Sequence, residues 1–224
     1  MSKSKHIKEI KISNSLIGIA CLLLIMALSA CKGTNEQTNT AIEAIESRIE
    51  QQAQDNFVPD STLIKNKANN ILRILQNEDW RTLATHAHPK EGIRFSPYAD
   101  VNSTNLVFKK EDLSKINSTD IYMWGAYDGS GSPIRRTLPQ YYSEFLYDVD
   151  YLAKANTIYN QHQQYGNSYN TIEKMYPGSL NVEYYIPNLD PKMRGFDWRA
   201  LRLVFTQYEK KWYLTAIIHS SYTS

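Results

Sequence analysis

The chain has 224 residues, 21% of them charged and 42% hydrophobic, with 16 Tyr, 9 Gly, 8 Pro and 2 Cys. That composition fits a globular domain with appendages and excludes a collagen-like, coiled-coil or wholly disordered chain; with Cys21 and Cys31 the only cysteines, the body of the protein holds neither a disulfide scaffold nor a thiolate cluster. The formal charge of +2 arises from Lys3, Lys5, Lys8 and Lys11 against Glu9, so residues 32–224 carry a net charge of −1 and offer no general field for nucleic acid.

The first 30 residues have the pattern of an export signal. A lysine-bearing stretch is followed by the apolar run from Leu16 to Ala27, too short to cross a bilayer as a helix, which takes roughly 20 residues. Small residues then precede a break, the arrangement of a secretory signal peptide. The segment Leu28-Ser29-Ala30-Cys31 resembles the bacterial lipobox. The resemblance implies cleavage before Cys31, thioether lipidation of its sulfur and acylation of its new amino group, hence an extracytoplasmic chain anchored to a membrane. Residues 31–60 form the next division. Lys32 to Thr40 is polar and reads as a tether, and Ala41, Ile42, Ile45 and Ile49 recur at helical spacing.

The remaining residues, 61–224, read as a single domain. After Pro59, Asp60 or Ser61 can cap a helix whose stripe is Leu63, Ile64, Ala68, Ile71, Leu72 and Leu75. Asn77-Glu78-Asp79 turns the chain into a short helix from Trp80, ending before Pro89. From Gly92 the period becomes that of strands, at Ile93-Phe95, Leu106-Phe108 and Ile121-Trp124, with Asp128 to Pro133 as a loop or hairpin tip. Thr137-Leu138-Pro139-Gln140 is a capping box, and it predicts a helix carrying Tyr141, Phe145, Leu146, Val149 and Leu152. A strand follows at Val182–Ile186. The closing hairpin sets Leu201, Leu203 and Phe205 on one face; past Glu209-Lys210, Trp212, Leu214, Ala216 and Ile218 alternate with Tyr213, Thr215, Ile217 and His219. The fold class is α+β: N-terminal helices packed on a curved, mostly antiparallel sheet.

Residues 61–88 and the pair Leu201-Arg202-Leu203-Val204-Phe205 and Lys211-Trp212-Tyr213-Leu214 resemble the opening helices and last strands of nuclear transport factor two-like domains. This resemblance implies a cone-like, or cystatin-like, sheet enclosing a pocket. The strings His88 to Tyr98, Trp124 to Gly131, Tyr147-Asp148-Val149-Asp150 and Phe196 to Phe205 are similar to segments of a family of uncharacterised bacterial extracytoplasmic lipoproteins. That similarity implies a fold and no mechanism.

The sequence contains no phosphate-binding glycine loop, dinucleotide fingerprint, nucleophile elbow or zinc-binding His pair, and it points to no cofactor or metal. His86 and His88 can ligate together only where the helix ends between them. Arg94, between Ile93 and Phe95, serves either as an ion-pair lock or as an anion anchor. Asp148 and Asp150 diverge if both lie inside a helix. A Trp between charges, as in Asp197-Trp198-Arg199, can floor a pocket or pack at the edge of the core. The expected function is a membrane-anchored, non-catalytic binding or accessory module for a small ligand or an envelope partner, with Arg94, Tyr98, Asp128, Asp197 and Trp198 as the ligand-binding candidates. The alternatives are an envelope hydrolase using His88, Asp128 and His219, or a structural assembly lipoprotein.

Overall fold

The computed structural model describes residues 60–161 and 171–222, together with Ile45, which is helical and exposed. The chain divides into two compact units, residues 1–57 and 58–224. The expected signal peptide, the lipobox with Cys31, the tether and the helix expected near residues 41–56 lie outside the described residues, Ile45 excepted. Among the described residues no helix is long and apolar enough to cross a membrane.

Helix α1 (Asp60–Gln76) buries Ile64, Ala68, Ile71, Leu72 and Leu75. Burial of each of the larger side chains stabilises the fold by roughly 1.5–3 kcal/mol. Leu63, expected in the stripe, is instead exposed. Asp79 caps α2 (Trp80–Thr85), its carboxylate accepting the Thr82 amide at 3.0 Å. A six-stranded sheet lies beneath α1, in the order β2 (Val107–Phe108), β1 (Ile93–Ser96), β8 (Lys211–Ser221), β7 (Arg199–Tyr208), β6 (Leu180–Ile186) and β5 (Asn156–Tyr159). Every pairing is antiparallel except that of β1 with β8. Two hydroxyls join α1 to its surroundings: Tyr184 donates to Asn69 Oδ1 at 2.8 Å and Tyr142 to the Leu75 carbonyl at 3.0 Å. The α+β architecture of helices on a mostly antiparallel sheet is therefore the one the sequence predicts.

The closing hairpin turns at Glu209 and Lys210, both with positive φ (48° and 62°), the backbone of a tight primed turn. Its alternation is broken once. Val204 pairs with Ala216 but Phe205 with Leu214, so Thr215 is an extra residue in β8. The strict alternation expected from the sequence groups Leu214 with Ala216 and Ile218. The bulge regroups Leu214 with Ile217 and His219, because one added residue moves every later side chain to the other face. Leu201, Leu203, Phe205, Ile217 and Phe95 thus join α1 in the main core, while Val204, Ala216 and Ile218 form a second cluster with Val101, Ile172 and Tyr176. The Glu183–Arg202 ion pair is buried on the same side as this second cluster.

A separate hairpin, β3 (Tyr122–Ala126) with β4 (Pro133–Arg136), closes over the main core. Its Trp124 stacks on Tyr141 with centroids 3.8 Å apart and meets Phe95 and Phe108 at 5.8 and 5.9 Å. These rings fill the space between sheet and hairpin, so the interior pocket implied by a cone-like sheet is occupied by aromatic side chains. Helix α3 (Leu138–Tyr141) opens at the predicted capping box, where Gln140 Oε1 accepts the Thr137 amide at 2.9 Å. It widens into a π-helical turn over Tyr142–Leu146 and stops. Asp150 caps a new short helix, α4 (Tyr151–Lys154), so the single helix expected through Leu152 is in fact two. An Asp at an N-cap competes for the backbone amides that a continuous helix would use.

Candidate functional site

Beyond the C-terminal ends of the parallel strands β1 and β8 lies a cleft of about 430 Å³. One wall is the loop following β1, with Pro97 to Asn105; the second is the tip of the β3–β4 hairpin, with Tyr127, Asp128 and Gly129; Ser220 and Ser221 close the third side. Each wall is fixed from behind. Arg94 Nη1 donates to the carbonyls of Asn102 (2.9 Å) and Asn105 (3.0 Å), while its Nε donates to the Tyr176 hydroxyl at 2.9 Å. Thr171 Oγ1 accepts the Val101 amide and donates to the Val101 carbonyl, at 2.8 and 2.9 Å. On the hairpin side, the Tyr127 hydroxyl donates to Glu144 Oε1 at 3.0 Å and accepts from Arg136, and Arg136 Nε is paired with Glu144 at 2.8 Å.

Asn105 stands at the floor and is only 6% exposed. Its Oδ1 accepts the Asn102 amide at 2.8 Å and the Ser96 hydroxyl at 3.2 Å. Its Nδ2 has no hydrogen-bond partner among the described residues. Gly125, at φ +136°, leaves room for that amide, since a Cβ there would stand 3.1 Å from Nδ2. The hydroxyls of Ser220 and Ser221 and the Asp100 carboxylate are likewise without a partner among the described residues. Of the sequence candidates, Tyr98 and Asp128 line this cleft. Burial raises the Tyr98 hydroxyl above its ordinary pKa, against a lowering hydrogen bond from the Asp128 backbone.

The other candidates sit elsewhere. Arg94 is the lock behind the wall, through neutral oxygens rather than a carboxylate, and it does not line the cleft. Asp197 organises its own loop, Oδ2 accepting the amides of Leu189 (3.1 Å) and Asp190 (2.6 Å). Trp198 is buried with its ring 6.3 Å from that of Tyr185. Neither lines the cleft; Trp198 packs at the edge of the core, the second of the two roles that its sequence context allows.

The histidines are also dispersed. His88 Nδ1 accepts the amides of Glu91 (2.9 Å) and Lys90 (3.3 Å), and its backbone pairs with Leu214. His219 stands five residues further along β8, roughly 16 Å away at strand rise. His86 is half-buried, and burial followed by the nearby Lys67 charge pushes its pKa down. No group of three or more metal-ligating residues occurs among the described residues.

His219 does meet a carboxylate, but not Asp128. Its Nε2 is 3.3 Å from Asp148 Oδ2 and its Nδ1 is 3.2 Å from the Pro97 carbonyl. Asp148 also accepts from Arg199 Nε at 2.7 Å and from the Tyr151 hydroxyl at 2.7 Å. Burial pushes the Asp148 carboxyl up, but His219, Tyr151 and Arg199 outweigh it and hold the group below its ordinary value. With both ring nitrogens facing acceptors and the ring 2% exposed, His219 offers no free nitrogen to a substrate. The constellation of His88, Asp128 and His219 expected of a hydrolase does not assemble. The Asp148 network went unpredicted because it needs the helix break at Asp148–Asp150 and the β7–β8 register, neither of which is a local signal.

No family model matches the chain, and no curated protein matches it. A solved structure whose title begins Rd1NTF2_05 is 13% identical and covers 70% of this chain and 98% of its own, with a TM-score of 0.26. A likeness that low carries no argument about fold or function.

Proposed function

We propose that this protein is a non-catalytic binding module held at a bacterial membrane by lipid on Cys31, and that its cleft takes a small uncharged ligand rich in hydroxyl and amide groups. The observation that carries the reading is the Asn105 side-chain amide at the floor of the cleft, whose Nδ2 has no hydrogen-bond partner among the described residues. An acceptor on a ligand would pair with that donor, a hydrogen bond that typically contributes about 0.5–1.5 kcal/mol. Ser220 and Ser221 supply groups that both donate and accept, and Asp100 supplies an acceptor. The described residues lining the cleft include the Asp100 carboxylate and no Lys, Arg or His, so an anionic ligand is disfavoured. The walls are fixed through Arg94, Thr171 and Arg136, which lowers the ordering cost of binding.

The test is calorimetry with a panel of monosaccharides and N-acetylated amino sugars against the protein and its Ser220→Trp variant. Binding of neutral members, lost in a Ser220→Trp variant that melts like the parent, is expected. Binding indifferent to that substitution, or confined to phosphorylated sugars, contradicts the reading. The anchor rests on the apolar run and the lipobox-like segment, and it has its own test. Mass spectrometry of the mature protein should find a chain beginning at a lipidated Cys31; an unmodified or uncleaved chain contradicts it.

A further inference from the structure

The loop between β6 and β7, residues 187–198, is a closed and internally bonded structure. Asp197 Oδ2 gathers the amides of Leu189 and Asp190. Asp190 Oδ1 accepts the Lys192 amide at 2.9 Å, at the head of a 3₁₀ turn over Pro191–Met193. Arg194 and Gly195 then adopt left-handed conformations (φ 50° and 83°), and the Phe196 amide returns to the Met193 carbonyl at 2.9 Å.

What this frame presents is apolar. Leu189 is 40% exposed, Met193 49% and Phe196 56%, and the Phe196 ring meets that of Tyr222, itself 42% exposed, edge-on at 5.0 Å. Lys192 and Arg194 flank Met193, both exposed and neither in an ion pair among the described residues. The two acids of the loop are turned onto backbone amides. An exposed apolar tip rimmed by unpaired cations has the chemistry of a bilayer interface: rings and thioether enter the headgroup boundary while the cations meet anionic headgroups. Four half-exposed side chains fall well short of the ~800 Å² that each partner contributes to a standard protein interface.

We propose that the 189–196 loop, with Tyr222, is a docking surface for an anionic phospholipid bilayer. Because the loop is already closed by its own hydrogen bonds, little order has to be gained on contact. Tyr222 directly follows Ser220 and Ser221, so docking brings this end of the sheet, with the mouth of the cleft, to the membrane surface. The inference stands on the loop itself and does not depend on lipid at Cys31.

The test is site-specific photocrosslinking of the full chain on vesicles of phosphatidylcholine doped with phosphatidylglycerol. A diazirine-bearing residue replaces Phe196 in one sample. In a control it replaces Ile121, which is 70% exposed on the other hairpin. Lipid adducts are expected at position 196 and not at 121. The yield at 196 should fall about thirtyfold on phosphatidylcholine alone, and at least as far with Lys192→Glu and Arg194→Glu together, given the contribution of each cation near an anionic surface. Equal adducts at both positions would mean proximity alone, and adducts to a second copy of the chain would mean self-association; either result overturns the proposal.

Discussion

His219 and Ser220 are consecutive on β8 and belong to regions with opposite characters. His219 faces the interior, where its ring, Asp148, Tyr151 and Arg199 are bonded to one another. Ser220 opens on the cleft, where hydroxyls and one side-chain amide have no protein partner among the described residues. A buried polar network that is closed on itself rigidifies a fold; a preformed polar surface with unpaired donors has capacity left for a ligand. The contrast suggests looking for binding where hydrogen bonds are missing, rather than where titratable groups are densest.

The contrast breaks most visibly through Asp148. Asp148→Ala removes the carboxylate shared by Arg199, Tyr151 and His219, leaving the part-exposed Arg199 only the carbonyls of Asp197 and Trp198, and is expected to cost about 3 kcal/mol, whereas Ser220→Ala should stay within about 0.5 kcal/mol. Denaturant unfolding of both variants decides it, and equal losses would dissolve the distinction. Next in size is Tyr151→Phe, which removes a hydrogen bond to a carboxylate worth roughly 1.5–3 kcal/mol, read in the same way.

Acid unfolding sharpens the comparison further. Asp148 is held below its ordinary 3.8 in the folded protein, so its contribution is complete above that value and is lost as the pH falls through the folded value. Asp148→Asn should therefore flatten the acid limb of the stability curve below pH about 4, while Ser220→Ala should run parallel to the parent. The smallest effect concerns Tyr141. Its buried hydroxyl has no partner among the described residues, and burial drives its pKa well up. Tyr141→Phe should be neutral or stabilising by up to about 1 kcal/mol; a clear loss of stability would reveal a partner there.

The elements with local signals were legible in the sequence. The 3.6-residue stripe of α1, the capping box at Thr137 and the hairpin around Glu209-Lys210 each occur where the pattern places them. The rest depends on contacts between distant segments. One extra residue at Thr215 decides whether Ile217 or Ala216 enters the main core, and alternation alone does not mark it. The break at Asp148–Asp150 hides in an apolar period that continues to Leu152. Strand β5 carries no alternation strong enough to separate it from a loop. In the cleft, Tyr98 and Asp128 were legible as unusual residues, but Asn105, Ser220 and Ser221 are ordinary polar residues that gain meaning only from where burial leaves them. Trp198 and Asp197 drew attention for their chemistry, and the fold uses that chemistry to pack and to close a loop.

The most direct test of the central claim follows both regions in one NMR titration with the neutral sugar panel. The account predicts that the Asn105 side-chain amide shifts on binding while the His219 ring resonances stay in place. A ligand that moves His219 and leaves Asn105 unchanged would contradict it.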